Sequence, residues 1–345
     1  MKVMLAMSGG VDSSVAAALL LDAGHEVVGV TMRLWGGESD TGCCSVSDVD
    51  DARRVAQQLG IDHLVFNFSD DFDRNVVQPY VAAHAAGVTP NPCIECNRHL
   101  KFARLSERAD LLGFDAVATG HHARIVHRDD GRADLCRGVD PAKDQSYVLH
   151  MLDQRELSRT IFPVGEMTKA DVRARAAELG LRTAAKPDSQ DVCFITSTGG
   201  RRTFLGSRIP LHSAAVLDTA GETIGRVDAV EMVTLGQRRG LPLAGAPERR
   251  YVVGIDVPGR TVTIGSEADL LVDEVRVRQL VWTDRPVSGR VLVQASAHGA
   301  TTPGDIDPNG VVRWEQPQRA VAPGQSLAFY DSTDTTVLGG GIVSS

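Results

Sequence analysis

Apolar and polar segments alternate through the first half of the chain, in lengths typical of strands and helices. Short apolar runs at residues 3–7, 27–34, 64–68 and 116–119 predict buried strands. Segments with helical spacing, each followed by a glycine, lie at residues 13–23, 47–59, 72–86 and 97–112. This alternation predicts an α/β fold, with a parallel sheet, helices on both faces, and any ligand at the edge where the strands end.

The pattern changes near residue 199, where the helical spacing gives way to short apolar runs separated by turns rich in Gly, Pro and Asp. These runs lie at residues 252–255, 261–264, 275–281, 289–294 and 326–330. They predict β-structure in the form of small barrels. With a second, softer break near residues 268–272, we expect three domains, at residues 1–200, 201–270 and 271–345.

Composition narrows the class of protein. The 345 residues are 43% hydrophobic and 23% charged, as in globular proteins, and no apolar run is long enough to cross a membrane. The N-terminal residues lack the pattern of a signal peptide, and six cysteines are too few for a disulfide-stapled secreted fold. We therefore expect a cytoplasmic protein with no membrane partner. Its formal net charge of −8 means that a nucleic-acid partner would need local basic clusters.

The turn SGGVDSS, residues 8–14, joins the first strand to the first helix. Gly9 and Gly10 allow close approach of an anion, and a helix N-terminus offers unpaired N–H groups. The turn is neither a Walker A loop nor a GxGxxG motif. The alternative is a plain tight turn in which Asp12 or Ser13 caps the helix.

An SGGxDS turn at this position resembles the pyrophosphate loop of the N-type ATP pyrophosphatases. These enzymes cleave ATP to AMP and pyrophosphate while adenylating a carbonyl oxygen. The resemblance implies that the loop binds ATP with Mg²⁺, and that Asp12 serves the metal as well as the helix cap.

Two cysteine segments follow. The stretch TPNPCIECNRHLKF, residues 89–102, places Cys93 and Cys96 at a predicted helix N-terminus, where a thiolate is stabilised. The stretch KPDSQDVCFI, residues 186–195, carries Cys193. The CxxC pair also fits half of a zinc site completed by Cys43 and Cys44, and Cys193 alone fits a buried apolar position.

Seven motifs occur in one order along the chain. They are SGGVDS, NPCxxCN, ATGHHAR (118–124), KDQSYVL (143–149), DSQDVCFI (188–195), TLGQRRGL (234–241) and PGQSLAFY (323–330). From end to end the chain resembles the tRNA-specific 2-thiouridylases, which replace the C2 oxygen of the wobble uridine by sulfur in the tRNAs for Lys, Glu and Gln. The resemblance implies an ATP pyrophosphatase domain, a small central domain and a C-terminal β-barrel that binds tRNA.

The resemblance also assigns roles to residues. Cys96 matches the family nucleophile, and Cys193 matches the cysteine that carries the persulfide. The positions that match the ATP site are Ala6, Met7, Ser8, Gly9, Gly10, Val11, Asp12, Ser13, Met32 and Gly120. The positions beside the target base are Asn91, Pro92 and Cys93, and those that contact tRNA are His121, Lys143, Asp144, Gln145 and Gln325. Some family members have Asp where this chain has Cys93.

The chemistry needs these residue types. Adenylation makes the C2 oxygen a leaving group, one thiol carries sulfur as a persulfide, and a second thiol releases it by forming a disulfide. The base must leave the anticodon stack to reach them, and a cysteine desulfurase or a sulfur-relay protein must supply the sulfur.

Three alternatives stay open at this point. The same substrate would receive sulfur through an iron–sulfur cluster held by Cys93, Cys96 and Cys193. Alternatively, the chain is another ATP pyrophosphatase, of the amidotransferase or argininosuccinate synthetase type. The third alternative is a nucleotide-binding module, without catalysis, that holds a structural zinc. We favour the persulfide route because it needs only Cys96 and Cys193, and no metal besides Mg²⁺ with ATP.

Overall fold

The structure is a computed structural model that describes residues 1–35, 46–188, 192–195, 199–241 and 249–344. The strands are β1 (Lys2–Ala6), β2 (Glu26–Arg33), β3 (Asp62–Asn67), β4 (Ala116–Ala118), β5 (Ala123–His127), β6 (Ala133–Arg137), β7 (Thr160–Ile161), β8 (Ala214–Leu217), β9 (Thr223–Val227), β10 (Tyr251–Asp256), β11 (Thr261–Gly265), β12 (Leu271–Trp282), β13 (Gly289–Gln294), β14 (Thr302–Ile306), β15 (Val311–Arg319), β16 (Ser326–Tyr330) and β17 (Thr336–Val343).

The α-helices are α1 (Val11–Asp22), α2 (Val46–Leu59), α3 (Ser69–Phe72), α4 (Gln78–Ala85), α5 (Pro92–Cys96), α6 (Leu105–Leu111), α7 (Gln154–Leu157), α8 (Lys169–Glu178) and α9 (Gly200–Gly206). Wider, π-type turns at Asp73–Val77 and Asn97–Arg104 make α3 continuous with α4 and α5 continuous with α6. Short 3₁₀ turns lie at Ser146–Leu149, Val230–Met232 and Ala268–Leu270. Within the described ranges, no helix has the length and apolar character that a membrane span requires.

A five-stranded parallel sheet forms the first part of the fold, in the order β3-β2-β1-β4-β7. Successive residues of a strand point to opposite faces, and β1 shows this directly. Leu5 packs in a core with residues of α1, α2 and α8, whereas Met4 packs in a second core with Phe72 and Leu100. The predicted parallel sheet with helices on both faces is confirmed.

The position of the site follows from the strand order. The chain runs outward from β1 to β3 on one side of the sheet and then returns to place β4 against the other side of β1. Parallel sheets form a crevice at such a reversal, beyond the carboxyl ends of the two strands. The turn at residues 8–10 and the segment at residues 119–122 therefore face each other there.

The second sheet has the order β10-β11-β8-β9 and its own core, which includes Val216, Val252 and Ile264. The expected β-structure in this region is present. The disappearance of helical structure after residue 199 is a wrong expectation, because α9 spans Gly200–Gly206. Seven residues make two turns, too few for a helical period to be visible in the sequence.

The C-terminal strands form a closed barrel. Six strands pair in the order β12-β15-β14-β13-β16-β17, and pairing of β12 with β17 closes the ring. The predicted C-terminal β-barrel is confirmed. The hairpin β5–β6, from the first half of the chain, also pairs with β17 and extends this sheet. The sequence analysis assigned no such contact, because pairing between strands distant in sequence leaves no mark on the hydrophobic pattern of either strand.

A histidine packs against a glycine where the barrel meets the first part of the fold. His150 is fully buried, and its Nδ1 lies 2.8 Å from the Tyr147 carbonyl oxygen. A Cβ added to Gly340, on β17, would overlap the His150 ring and lie 2.5 Å from the Leu327 carbonyl oxygen. Only a glycine fits at this contact.

We therefore predict that Gly340→Ala lowers the thermal unfolding midpoint by about 5 °C or more, because the added methyl group overpacks the junction. Gly254→Ala is the matched control. Its added Cβ would make ordinary contacts with Thr263, at 3.5 Å. Circular dichroism measures both midpoints, and equal midpoints for the two variants would contradict the prediction.

Candidate active site

A cavity of about 600 Å³ lies at the crevice beyond the ends of β1 and β4. Its wall brings together most of the residues that the sequence analysis singled out. These are Ala6, Met7, Ser8, Gly10, Val11, Asp12, Ser13, Met32, Pro92, Cys93, Cys96, Gly120, His121, Lys143, Asp144, Gln145 and Cys193. Residues far apart in sequence thus line one cavity.

Three of the singled-out residues lie outside the cavity wall. Gly9 has a φ of +72° and packs so closely on Asp48 that a Cβ would overlap the Asp48 carbonyl group. The Asn91 side chain caps α5 by accepting a hydrogen bond of 3.1 Å from the Cys93 N–H. Gln325 donates a hydrogen bond of 2.6 Å to the Thr89 carbonyl oxygen. All three fix the shape of loops that form the wall.

The glycine turn carries no side-chain cap. Helix α1 begins at Val11 with Gly10 at its N-cap, and no side chain of the described residues forms a cap hydrogen bond there. The expectation that Asp12 or Ser13 caps this helix is therefore wrong. Ser14 Oγ instead donates to the Gly10 carbonyl oxygen at 2.8 Å. The N–H groups at the start of α1 carry positive partial charge and suit a phosphate group.

Lys186 links the glycine turn to two carboxylates of α2. Its Nζ donates hydrogen bonds to the Gly9 carbonyl oxygen (2.9 Å), to Asp48 (2.6 Å) and to Asp51 (2.7 Å). Burial lowers the pKa of Lys186, but the bonds to the two carboxylates outweigh burial and the pKa is raised. This charged lysine begins the stretch that leads to Cys193, so it links that stretch to the glycine turn.

Asp12 faces two partners across the cavity. Its carboxylate accepts hydrogen bonds of 2.7 and 2.8 Å from Lys169 Nζ and lies 3.0 Å from His122 Nε2. Burial raises the pKa of Asp12, but the bonds from His122 and Lys169 outweigh burial, and the pKa lies below its usual value. Asp12 is consequently ionised at neutral pH.

Lys169 joins Asp12 to a second carboxylate. Its Nζ lies 2.9 Å from Asp188, which also pairs with Lys143 and Arg173, each at 2.8 Å. Burial raises the pKa of Asp188, but the hydrogen bonds from Lys143 and Lys169 lower it well below its usual range. The ammonium group of Lys169 thus lies between two carboxylates beside the glycine turn, where a positive charge favours an anionic ligand.

The sequence analysis missed several of these residues. His122, Lys186 and Asp188 lie inside stretches that it quoted, but it gave them no role. Lys169 had no such signal, since it stands in a helix start with an ordinary capping box, Thr168 to Asp171. Only the folded chain reveals its contact with Asp12.

The two cysteine segments meet on one face of the sheet. Cys96 is 8% exposed and belongs to the core that contains Leu100 and Phe194. Cys193 packs against the same core and lines the same cavity. In the part of the chain that the structure describes, no three His, Cys, Asp or Glu side chains form a metal-binding group. Cys43 and Cys44, considered above as zinc ligands, lie outside the described residues.

The loop at residues 143–145 is fixed by hydrogen bonds that two of its own side chains accept from neighbouring protein groups. The Asp144 carboxylate accepts hydrogen bonds from Arg137 (2.7 Å), the Gly138 N–H (3.0 Å) and Ser146 Oγ (2.8 Å). Gln145 Oε1 accepts from the His122 N–H at 2.9 Å. Both side chains serve the loop's own structure. Lys143, by contrast, has a side chain that is 40% exposed.

Arg137 extends this anchoring to the barrel. Its guanidinium group pairs with Asp334 at 2.7 Å and lies 3.9 Å from the centre of the Tyr330 ring. The loop at residues 143–145 is therefore fixed relative to the C-terminal barrel. His121, nearby, is buried in the cavity wall, and burial holds its pKa well below the usual value, so its ring is neutral.

Comparisons with known proteins cover the whole chain. A family model described as the tRNA methyl transferase HUP domain matches residues 1–197, and the related PRC-barrel and aminomethyltransferase β-barrel domain models match residues 202–266 and 272–343. The tRNA-specific 2-thiouridylase of Chloroflexus aurantiacus is 47% identical, over 98% of this chain and 97% of that protein. Those of Roseiflexus castenholzii (45% identical, over 99% and 98%) and Mycobacteroides abscessus (46% identical, over 99% and 99%) are similarly close.

The chain belongs to the tRNA-specific 2-thiouridylase family. The resemblance inferred from the seven motifs is thereby confirmed at the level of the family. Membership of this family, whose proteins use ATP and have a pyrophosphate loop, implies that the chain binds ATP. The roles of single residues stay predictions.

For this 2-thiouridylase family member we predict that Lys186→Met raises the KM for ATP about tenfold, because the turn loses its hydrogen bond at Gly9 and Asp48 loses its ion pair with Lys186. Arg182→Met is the matched control, since Arg182 pairs with Asp51 at 2.9 Å. AMP release in the presence of tRNA measures both KM values. A KM of Lys186→Met equal to that of Arg182→Met would refute this role.

Proposed function

We propose that the protein is an ATP-dependent tRNA uridine 2-sulfurtransferase. It adenylates the C2 oxygen of the wobble uridine in the tRNAs for Lys, Glu and Gln and replaces that oxygen by sulfur from a cysteine persulfide. The products are 2-thiouridine, AMP and pyrophosphate. The observation that carries the proposal is that the glycine turn, Cys96 and Cys193 line one cavity. The enzyme acts in the cytoplasm, with a cysteine desulfurase or a sulfur-relay protein as donor.

The glycine turn binds the pyrophosphate end of ATP. The N–H groups at the start of α1 and the ammonium group of Lys169, which lies between Asp12 and Asp188, support this assignment. Asp12 is the carboxylate of the turn and fits Mg²⁺, which in phosphate sites takes one or two carboxylates together with phosphate oxygens. Bound there, Mg²⁺ neutralises charge on the phosphates. Met32 and Gly120 line the same cavity and contact the rest of the nucleotide.

Adenylation comes first in the reaction. The uridine O2 attacks the α-phosphorus of ATP, the new O–P bond forms, and pyrophosphate leaves. The C2 carbon then carries AMP, a far better leaving group than the original oxygen. Positive charge from Lys169 beside the turn favours the departing pyrophosphate.

Sulfur transfer follows at the two cysteines. The terminal sulfur of the Cys193 persulfide attacks C2 and displaces AMP. Cys96 then attacks the Cys193 sulfur, the persulfide S–S bond breaks, and 2-thiouridine is released. A disulfide between Cys96 and Cys193 remains, and an external thiol reduces it before the next cycle. Packing of both cysteines on one core supports this exchange.

Recognition of tRNA involves all three proposed domains, residues 1–200, 201–270 and 271–345. Asn91, Pro92 and Cys93 form the loop beside the target base, and Gln325 holds that loop to the barrel. Lys143 contacts phosphate, and Asp144 and Gln145 hold its loop in place. His121 contacts the RNA as a neutral ring. Cys93 acts as a loop residue rather than as a ligand.

The iron–sulfur route uses the same three cysteines, which all line the cavity. Iron measured in anaerobically purified protein separates the two routes. The persulfide route predicts thiolation by protein without stoichiometric iron, and it predicts an active Cys93→Ser variant. Iron near four atoms per chain, lost together with activity in Cys93→Ser, would favour the cluster.

The direct test of the function uses purified protein, ATP, Mg²⁺, a sulfur donor and unmodified tRNA. We predict that Cys96→Ser and Cys193→Ser each abolish formation of 2-thiouridine during turnover, because each removes one of the two exchanging sulfurs. Cys136→Ser, a change in a strand and outside the cavity wall, is the matched control and retains activity. Nucleoside analysis by mass spectrometry measures the product. Wild-type yield from either active-site variant, or ADP as the nucleotide product, would overturn the proposal.

A second prediction concerns RNA binding. Lys143→Ala weakens tRNA binding while leaving the affinity for ATP unchanged, because an exposed lysine contributes to RNA binding by releasing phosphate counterions. The slope of log affinity against log salt concentration falls by about one. Lys2→Ala, at the N-terminal end of the central strand β1 and outside the cavity wall, is the matched control. An unchanged slope in Lys143→Ala would remove Lys143 from the RNA interface.

A further inference from the structure

The residue that follows Cys96 is a buried asparagine. Asn97 is 2% exposed and lies in the wall of the cavity that both active-site cysteines line. Neither the helix nor the core needs an amide at this position, and burial of an amide is costly unless each of its polar groups has a partner. The partners of Asn97 therefore indicate what the residue does.

Only one end of the Asn97 amide has a partner. Its Nδ2 donates a hydrogen bond of 3.0 Å to the Val148 carbonyl oxygen. A carbonyl oxygen cannot donate, so the NH₂ group must face Val148 and the identity of the two amide atoms is fixed. The other atom, Oδ1, is buried and has no hydrogen-bond donor within reach among the described residues. A buried acceptor in this state gains free energy when a ligand brings a donor.

The Val148 carbonyl group, which accepts the hydrogen bond from Asn97, lies next to the proposed tRNA-binding loop. The Val148 N–H donates to the Gln145 carbonyl oxygen at 3.1 Å, so the carbonyl that holds Asn97 follows the loop at residues 143–145. The position of the Asn97 amide is thus set by the element that also carries Lys143.

Uracil offers one donor on its ring, the N3–H group, and N3 is bonded to C2, the carbon at which sulfur replaces oxygen. A base placed with C2 beside Cys96 brings N3 close to the next residue along the chain. Resting on the proposed function, we infer that Asn97 Oδ1 accepts a hydrogen bond from N3–H of the wobble uridine, and that this contact selects uridine over cytidine. In cytosine N3 is an acceptor, so it would face another acceptor.

Three carboxylates in the wall are already engaged by cations. Asp12 is bonded by Lys169, Asp144 by Arg137, and Asp188 by both Lys143 and Lys169. Lysine side chains donate only and cannot accept from N3–H. Among the described wall residues, Asn97 Oδ1 and His122 Nδ1 are buried without a hydrogen-bond partner, and of these two residues only Asn97 directly follows Cys96 in the chain.

The test is a cycle of two changes, one in the RNA and one in the protein. Anticodon stem–loop RNAs carry uridine, cytidine or 3-deazauridine at the wobble position. The 3-deaza base has nearly the same shape but bears C–H in place of N3–H. The protein is wild type, Asn97→Leu or Asn75→Leu. Asn75 is the matched control, because its amide also donates to a main-chain carbonyl, that of Asp71 at 2.8 Å, but lies outside the cavity wall.

Equilibrium binding in the presence of a non-hydrolysable ATP analogue measures the nine affinities. We expect wild type and Asn75→Leu to bind uridine RNA about tenfold more tightly than either the 3-deazauridine or the cytidine RNA. Asn97→Leu loses this preference, and its three affinities agree within about twofold. Structural damage alone would weaken the binding of all three RNAs equally and would leave the preference for uridine RNA intact.

The wild-type comparison needs no variant and decides the inference even if Asn97→Leu fails to fold. Asn97→Ser, which is smaller, then takes its place in the cycle. Equal affinity of wild type for uridine and 3-deazauridine RNA overturns the inference, as does a preference retained by the Asn97 variant. Thiolation of the uridine RNA by wild type is measured in parallel. If thiolation occurs without the preference, only the inference fails, whereas absence of thiolation overturns the proposed function beneath it as well.

Discussion

The ion pairs of Lys169 with Asp12 and Asp188 are the interaction on which the site depends. Asp12 lies in the glycine turn and Asp188 lies in the stretch that leads to Cys193, so one ammonium group joins the end of the cavity proposed to bind ATP to the end that carries Cys193. Without that cation, two ionised carboxylates would face each other beside the glycine turn. The lysine side chain is only 12% exposed, so solvent screens these pairs weakly.

The C-terminal barrel is joined to the cavity wall by strand pairing and by ion pairs. The hairpin β5–β6 leaves the parallel sheet after β4 and pairs with β17, so the segment that follows β4 is shared between two sheets. Arg137, at the end of that hairpin, binds both Asp144 in the cavity wall and Asp334 in the barrel. A tRNA bound by the barrel would therefore be placed relative to the cavity by covalent and ionic connections rather than by a flexible linker.

Local features of this fold could be predicted from the sequence, whereas long-range pairings could not. The strands of the parallel sheet and the glycine turn follow from the apolar pattern, and the motif resemblance led to Cys96 and Cys193. The helix-cap expectation for Asp12 was wrong because Lys169 and His122, distant in sequence, bind its carboxylate instead. Lys169 itself stands behind an ordinary capping threonine, and the pairing of β6 with β17 leaves no local signature.

The central claim is that one cavity couples ATP cleavage to sulfur transfer on a single base. Single-turnover reaction of persulfide-loaded protein with ATP and unmodified tRNA, with AMP and 2-thiouridine counted in the same samples, tests it most directly. The account predicts that AMP and 2-thiouridine form in equal amounts and that neither forms when ATP or tRNA is omitted. Formation of 2-thiouridine without an equal amount of AMP would contradict it.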